Sequence, residues 1–277
     1  MAKISLATLN HSPLHGLPTE WEAHLDAAAA AGFDSIAPDV FWLREIEKEG
    51  IALEEIARGL SARSLGCMEI AGIAIGEPDN TNAELEEQLR YAEVLGAEFV
   101  NARVVSPIDE EVVEVARQCA EAFAAVGTRL ALEFSAGTKL NSVSGARAFA
   151  EQIAVAGVGV TLDTWHFFLR PDGVEWDALE ALPESVFANV QLSDGVPYSE
   201  GEFGVATMDR RRLPGEGEFD LEGCKARLTN RGLDLPVVVE VLNAQEREKP
   251  IEDFAQRAMN ATRASWSERS FAAKTSS

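Results

Sequence analysis

The sequence predicts a single-domain (β/α)8 TIM barrel of the α/β class, and three observations predict it. First, an Ala- and Glu-rich helical stretch stops at a glycine and a short apolar run follows, six times along the chain. Second, the first five of these glycines, Gly32, Gly66, Gly96, Gly127 and Gly157, are separated by 34, 30, 31 and 30 residues. That is the length of one strand, one helix and two short connections. Third, the apolar runs are near-continuous, as in parallel strands buried on both faces, while the helical stretches are apolar on one side only. Glycine suits each helix end because the residue after the last turn often takes a left-handed conformation.

The elements follow in order. Ile4 to Asn10 reads as the opening strand, and Trp21, Leu25, Ala28 and Ala29 fall at helical spacing before Gly32. Phe33 to Ile36 is the second strand, and Cys67-Met68-Glu69-Ile70 after Gly66 is the third. A helix carrying Leu85, Leu89 and Ala92 leads to Gly96 and the strand around Phe99-Val100, and Leu130-Ala131-Leu132 follows Gly127. Val158 to Leu162, Val186 to Leu192 and Val237 to Val239 complete eight strands. Eight βα units in 277 residues match the barrel in count and length. An open doubly wound sheet is the alternative, but no glycine-rich phosphate loop supports it. The barrel is expected over residues 1–266, and residues 267–277, which lose the periodicity, are expected to be a disordered tail. Ser193 to Phe219 forms a 27-residue connection, long enough to be a candidate lid.

With 46 acidic against 24 basic residues, the net charge is −22, which opposes binding to nucleic acid or to an anionic membrane surface. No stretch approaches the roughly 20 apolar residues of a membrane helix, and the first ten residues lack the pattern of a signal peptide. Cys67, Cys119 and Cys224 are widely spaced and odd in number, which suits reduced thiols. The expectation is a cytoplasmic protein acting on a small-molecule substrate, and homo-oligomerisation is compatible with the sequence.

Barrel chemistry sits where strands end. Four consecutive strands end in a polar residue: Glu133 after Leu130-Ala131-Leu132, Asp163 after Val160-Thr161-Leu162, Gln191 after Asn189-Val190, and Glu240 after Val237-Val238-Val239. Carboxylates in such positions are costly to bury unless paired or coordinated. Three converging on one mouth call for a cation, and oxygen ligands suit Mg2+ or Mn2+, with Co2+ as an alternative.

Glu133 in Leu-Glu-Phe, the run Asp163-Thr164-Trp165-His166, Gln191-Leu192-Ser193-Asp194-Gly195, Pro214 to Asp220 and Val239-Glu240-Val241 together resemble the xylose isomerase-like TIM barrels, the sugar isomerase/epimerase superfamily. The resemblance covers nearly the whole chain and is sharp from residue 130 onward. It implies one divalent metal at Glu133, Asp163, Gln191 and Glu240. It also implies an acid/base pair of Glu133 and Glu240, and contacts to substrate oxygens from His166 and Arg211. Two positions depart from the pattern. Most epimerases of the superfamily have histidine at Gln191, and a glutamine there resembles a branch that includes bacterial 3-dehydroshikimate dehydratases. Lys139 stands where ketose 3-epimerases carry a substrate-holding glutamate, and a cation there suits a carboxylate or phosphate.

The remaining candidates have ordinary readings beside functional ones. His11 either lines the mouth or is solvated, and Glu69 either reaches the mouth or faces a loop. Trp42 and Trp165 are pocket wall or core. Arg210, Arg211 and Arg212 include one inward-facing clamp or form a solvated patch, and Asp220 reads as a helix cap. The favoured expectation is a metal-dependent isomerase or epimerase of a small polyhydroxy carbonyl compound, with a dehydratase-type lyase as alternative. A DNA-repair endonuclease and a non-catalytic sugar-binding barrel are the competing classes.

Overall fold

The computed structural model describes residues 2–199 and 201–266; the predicted tail, residues 267–277, lies outside them. Nine parallel strand segments run β1 (Ile4–Ala7), β2 (Ser35–Ala37), β3 (Gly66–Cys67), β4 (Glu69–Ile75), β5 (Phe99–Val104), β6 (Arg129–Glu133), β7 (Gly159–Asp163), β8 (Phe187–Leu192) and β9 (Val237–Val239). Their order in the sheet is β3-β2-β1-β9-β8-β7-β6-β5-β4. Since β3 and β4 are successive parts of one strand position, broken only at Met68, this order is a nearly closed (β/α)8 barrel. The ring is joined there by Met68 N–H donating to Ile36 O (2.8 Å) and Ala71 N–H to Pro38 O (2.9 Å).

Helices α1 (Trp21–Ala31), α2 (Val40–Lys48), α3 (Leu53–Ala62), α4 (Pro78–Leu95), α5 (Glu110–Ala125) and α6 (Val143–Ile153) surround the first strands. They are followed by α7 (Thr164–Phe168), α8 (Trp176–Ala181), α9 (Phe203–Asp209), α10 (Leu221–Asn230), α11 (Ala244–Arg247) and α12 (Ile251–Trp266). The glycine rule holds at Gly32 and Gly96, which cap α1 and α4 at φ of 84° and 63°, where a side chain would be strained. It does not hold after α3, where Ser64 takes the left-handed turn at 58° and Gly66 lies in β3, nor at the end of α6, which Ala154 caps at 57°. The main apolar core lies between the strands and these helices. A second, smaller cluster includes Ala7, Ala37, Met68, Ala131 and Val238. Ala131 and Val238 precede Glu133 and Glu240 by two residues and so share their inward face, forming an apolar floor beneath the site.

Two elements differ from the sequence reading. The opening strand stops at Ala7, and Thr8–His11 wind into a 3-10 turn. The Ser193–Phe219 connection is not irregular throughout, because it contains α9 and is cinched by Asp194. This buried carboxylate accepts from the backbone N–H of Gly195 (2.8 Å), Gly215 (2.9 Å) and Phe219 (3.0 Å). A β-carbon on Gly217 would lie 2.2 Å from Asp194 Oδ1 and 2.4 Å from Gly195 O, so the Pro-Gly-Glu-Gly turn can wrap the carboxylate only with glycine there. Asp194→Ala strands these donors in a buried setting and is expected to cost about 2–4 kcal/mol, read as a lower denaturation midpoint with faster amide exchange over residues 214–219.

Candidate active site

Glu133, Gln191 and Glu240 line one cavity of about 380 Å³ at the C-terminal mouth of the barrel together with His166 and Arg211, and Asp163 lies behind that lining, in contact with His166 and Arg211. Glu133 and Asp163 are the last residues of β6 and β7, and Gln191 lies in β8 beside Asp163 in register. Glu240 immediately follows β9, where its N–H donates to Leu192 O at 3.1 Å. Asp163 also caps α7, accepting from Trp165 N–H (2.7 Å), so His166 is carried on a helix whose start is pinned to the site. His166 Nε2 stands 3.3 Å from Glu133 Oε1 and 3.6 Å from Asp163 Oδ2.

Arg211 is the central cation. Its Nη1 lies 3.1 Å from Asp163 Oδ2 and 3.0 Å from Glu240 Oε2, its Nε donates to Thr207 O (3.0 Å), and its guanidinium stacks over Trp165 at 5.5 Å. Of the three adjacent arginines it is the one that is buried. Burial is the largest influence on Glu240 and pushes its carboxyl up to about 7 in spite of Arg211. Burial acts upward on Glu133 as well, but the hydrogen bond and charge of His166 outweigh it and hold that carboxyl below its usual range. The two glutamates, alike in sequence context, are thus pushed apart by their partners.

The carboxylates of Glu133, Asp163 and Glu240 outnumber the one buried guanidinium, Arg211, an imbalance that suits a divalent cation. Single ligand atoms of Glu133, Asp163 and His166 lie within 4.8 Å of one another. Gln191 contributes a buried Oε1 with no hydrogen-bond partner, an atom suited to a cation. The donor set therefore fits a divalent metal.

Some sequence candidates lie elsewhere. Lys139 does not line the cavity: its N–H donates to Val104 O (2.9 Å) at the end of a turn in which Ser135 N–H bonds Leu140 O (2.9 Å), and its side chain is exposed. His11 also lies outside the cavity lining. The 3-10 turn directs it toward α12, where its ring packs on Phe254 at 4.8 Å and Nε2 is 3.4 Å from Lys249 O. Trp42 is core, its Nε1 donating to Thr19 O, and Trp165 is buried behind Arg211. Asp220 caps α10 through Gly223 N–H (2.9 Å).

The structure adds residues that sequence reasoning missed or underweighted. Asp39 lines the cavity while capping α2 and accepting from Thr8 Oγ1 (2.7 Å) and Ser12 Oγ (2.9 Å). Its place right after the second strand, before Val40-Phe41-Trp42, was the available signal. Arg103, near the end of β5, is exposed and lines the cavity. From the long connection, α9 supplies Phe203, Thr207 and Met208 to the wall, with the Phe203 ring 6.3 Å from that of His166. Phe203 fits because residue 137 is glycine: a β-carbon there would lie 2.8 Å from its Cε1.

With this geometry established, comparison with known proteins assigns the class. A family model described as xylose isomerase-like TIM barrel matches residues 25–264, and the chain belongs to that family. Among solved structures it is similar to the IolI protein with a bound zinc atom, at 19% identity and a TM-score of 0.82, covering 96% of this chain and 98% of that one. It is also similar to a probable 3-DHS dehydratase, AsbF, from Bacillus anthracis, at 14% identity and TM-score 0.76, covering 93% and 97%. A D-psicose 3-epimerase crystallised in the presence of D-fructose aligns at 16% identity and TM-score 0.71, covering 96% and 100%. At such identities these likenesses establish the fold. No curated protein matches the sequence.

Two outcomes follow from the site. Mn2+ at about a hundred times its dissociation constant is expected to add about 2.7 kcal/mol of stability, read as a higher unfolding temperature than in EDTA and lost in Asp163→Asn. For His11, burial first and His24 second push the imidazole down to about 4 from 6.5. The folded state thus resists protonation. The stability of the native protein relative to His11→Leu is expected to be constant above pH 6.5 and to fall by up to about 3 kcal/mol between pH 6.5 and 4, measured by denaturant unfolding of both proteins across that range.

Proposed function

We propose that the protein is a divalent-metal-dependent isomerase or epimerase of a small polyhydroxy carbonyl compound: a sugar, sugar phosphate or keto-inositol. The observation that carries this reading is the gathering of Glu133, Gln191 and Glu240 in the lining of one cavity, with Asp163 against His166 and Arg211 of that lining and a buried unpartnered Gln191 oxygen.

A proton beside a carbonyl is too weak an acid for a side chain to remove unaided. Glu133, Asp163, Gln191 and Glu240 would hold a divalent cation, Mn2+ or Mg2+, which would supply Lewis acidity at the carbonyl. Glu133 and Glu240 come from strand positions separated by two others, and each presents a carboxylate to the substrate space. One accepts the α-proton, and the other, protonated, returns one to the opposite face for epimerisation or to the neighbouring carbon for isomerisation. His166, 3.3 Å from Glu133, donates to a substrate oxygen and moves a proton with that glutamate. Arg211 keeps Asp163 and Glu240 in place and turns its remaining donors to substrate hydroxyls. Phe203 and Leu242 cover the lining and exclude water.

One observation favours a second reading, a lyase of the dehydratase type acting on an acid. Arg103 lines the cavity and, among the described residues, makes no side-chain hydrogen bond or ion pair, whereas Arg44 on the same wall is held by Glu87 at 2.6 Å. An uncommitted guanidinium suits a substrate carboxylate. The first step is shared, and loss of a β-hydroxyl replaces reprotonation.

Proton NMR of the Mn2+-loaded protein in D2O with ketoses, inososes and 3-dehydroshikimate tests both readings. Deuterium entering the α-carbon with a new epimer or isomer is the expected result; new vinyl or aromatic protons assign the lyase; no exchange with any of them counts against both. On the substrate so identified, Glu133→Gln and Glu240→Gln are each expected to lower kcat by about 10²–10⁴-fold. With an acid substrate, Arg103→Ala raises KM more than it lowers kcat.

A further inference from the structure

The reaction scheme leaves one buried carboxyl of the barrel interior without a role. Glu69, the first residue of β4, is 1% exposed and reaches across the interior to β8. Its Oε1 accepts from Gln191 Nε2 at 2.7 Å, and its Oε2 accepts from Asn189 Nδ2 at 2.5 Å. Asn189 and Gln191 are two apart on one strand, so their side chains share a face, and Glu69 engages both.

A glutamine amide has a donor end and an acceptor end, and which end faces the cavity is set by what the other end binds. Here the NH2 group is taken by Glu69. That leaves Gln191 Oε1, which is buried without a hydrogen-bond partner, on a residue lining the cavity. The floor beneath includes the apolar side chains of Ala131 and Val238. Turned over, the amide would present N–H groups to the cation site and repel it. In either protonation state Glu69 keeps one oxygen that accepts from Gln191.

We infer that Glu69 is a positioning residue: by engaging the NH2 groups of Gln191 and Asn189 it fixes the Gln191 carbonyl oxygen toward the cavity as a ligand for a divalent cation. The inference rests on the proposed metal site. It adds a reason why a neutral amide serves there: its polarity is imposed from across the barrel. The contact itself, not the negative charge of Glu69, is what matters.

Two variants separate contact from charge. Glu69→Asp keeps the charge but withdraws the acceptor by one methylene; Glu69→Gln loses the charge but keeps an acceptor for Gln191 Nε2, with Asn189 turning its amide to match. Mn2+ affinity is measured by isothermal titration calorimetry and by electron paramagnetic resonance of free Mn2+, with circular dichroism confirming the fold. Glu69→Asp is expected to bind Mn2+ about 10- to 100-fold more weakly, the range for lost partners of metal ligands, and Glu69→Gln within about threefold of the native protein. In a Gln191→Ala background, Glu69→Asp is expected to cause no further loss. The reverse order of the two variants, equal affinity of Glu69→Asp and the native protein, or an undiminished loss in the Gln191→Ala background would each overturn the inference. If Glu69→Asp does not fold, a tenfold loss in Glu69→Gln overturns it and retention within threefold supports it. Failure of the native protein to bind Mn2+ at all would instead remove the metal site on which it rests.

Discussion

The mouth of this barrel is organised by the need to hold three carboxylates within one small buried space. Glu133, Asp163 and Glu240 arrive there because each ends, or directly follows, a short apolar strand, and no strand can retract its carboxylate without breaking the ladder. Arg211 answers part of the repulsion by standing between Asp163 and Glu240, and it is held in that position by the backbone of α9 and the face of Trp165. A buried charge set of this kind is a weak source of stability and a strong source of geometry. The residual negative charge defines what the site is suited to accept.

The long connection after β8 exists in this form because it has to deliver that arginine. Asp194 ties its two ends together through backbone donors, leaving α9 and Arg210–Arg212 to fold back over the mouth. Arg211 N–H donates to Leu242 O, and Asn243 Nδ2 donates to Arg211 O, so the segment is bolted to the strand end that carries Glu240. Loop architecture and site electrostatics are therefore one problem here. A glycine at 217 and a glycine at 137 are the steric conditions for its solution.

Much of this was legible in the chain. The glycine punctuation announced the barrel because a helix end and a strand start leave a local signature, independent of what packs against them. The strand-end carboxylates announced the mouth because a charge after an apolar run has few inexpensive places to go. Lys139 and His11 misled for a common reason: distance along the chain from a site residue says nothing about the direction a turn gives a side chain. The turn after β6 sends Lys139 to solvent, and the 3-10 winding of Thr8–His11 sends His11 toward Phe254. Glu69 was visible as a polar residue in an apolar strand, but its partners are about 120 residues away.

By itself, the sequence determined the fold class and the placing of polar residues at the ends of four consecutive strands, since these depend on local conformational preference and strand alternation. Only the tertiary structure decided which of three adjacent arginines turns inward, which glutamate is held below the usual carboxylate range and which is pushed above it, and that Glu69 engages the Gln191 amide from across the barrel. Those outcomes depend on distances of a few ångströms between residues remote in sequence. At that range, burial and a single hydrogen bond outweigh any intrinsic property of the side chain.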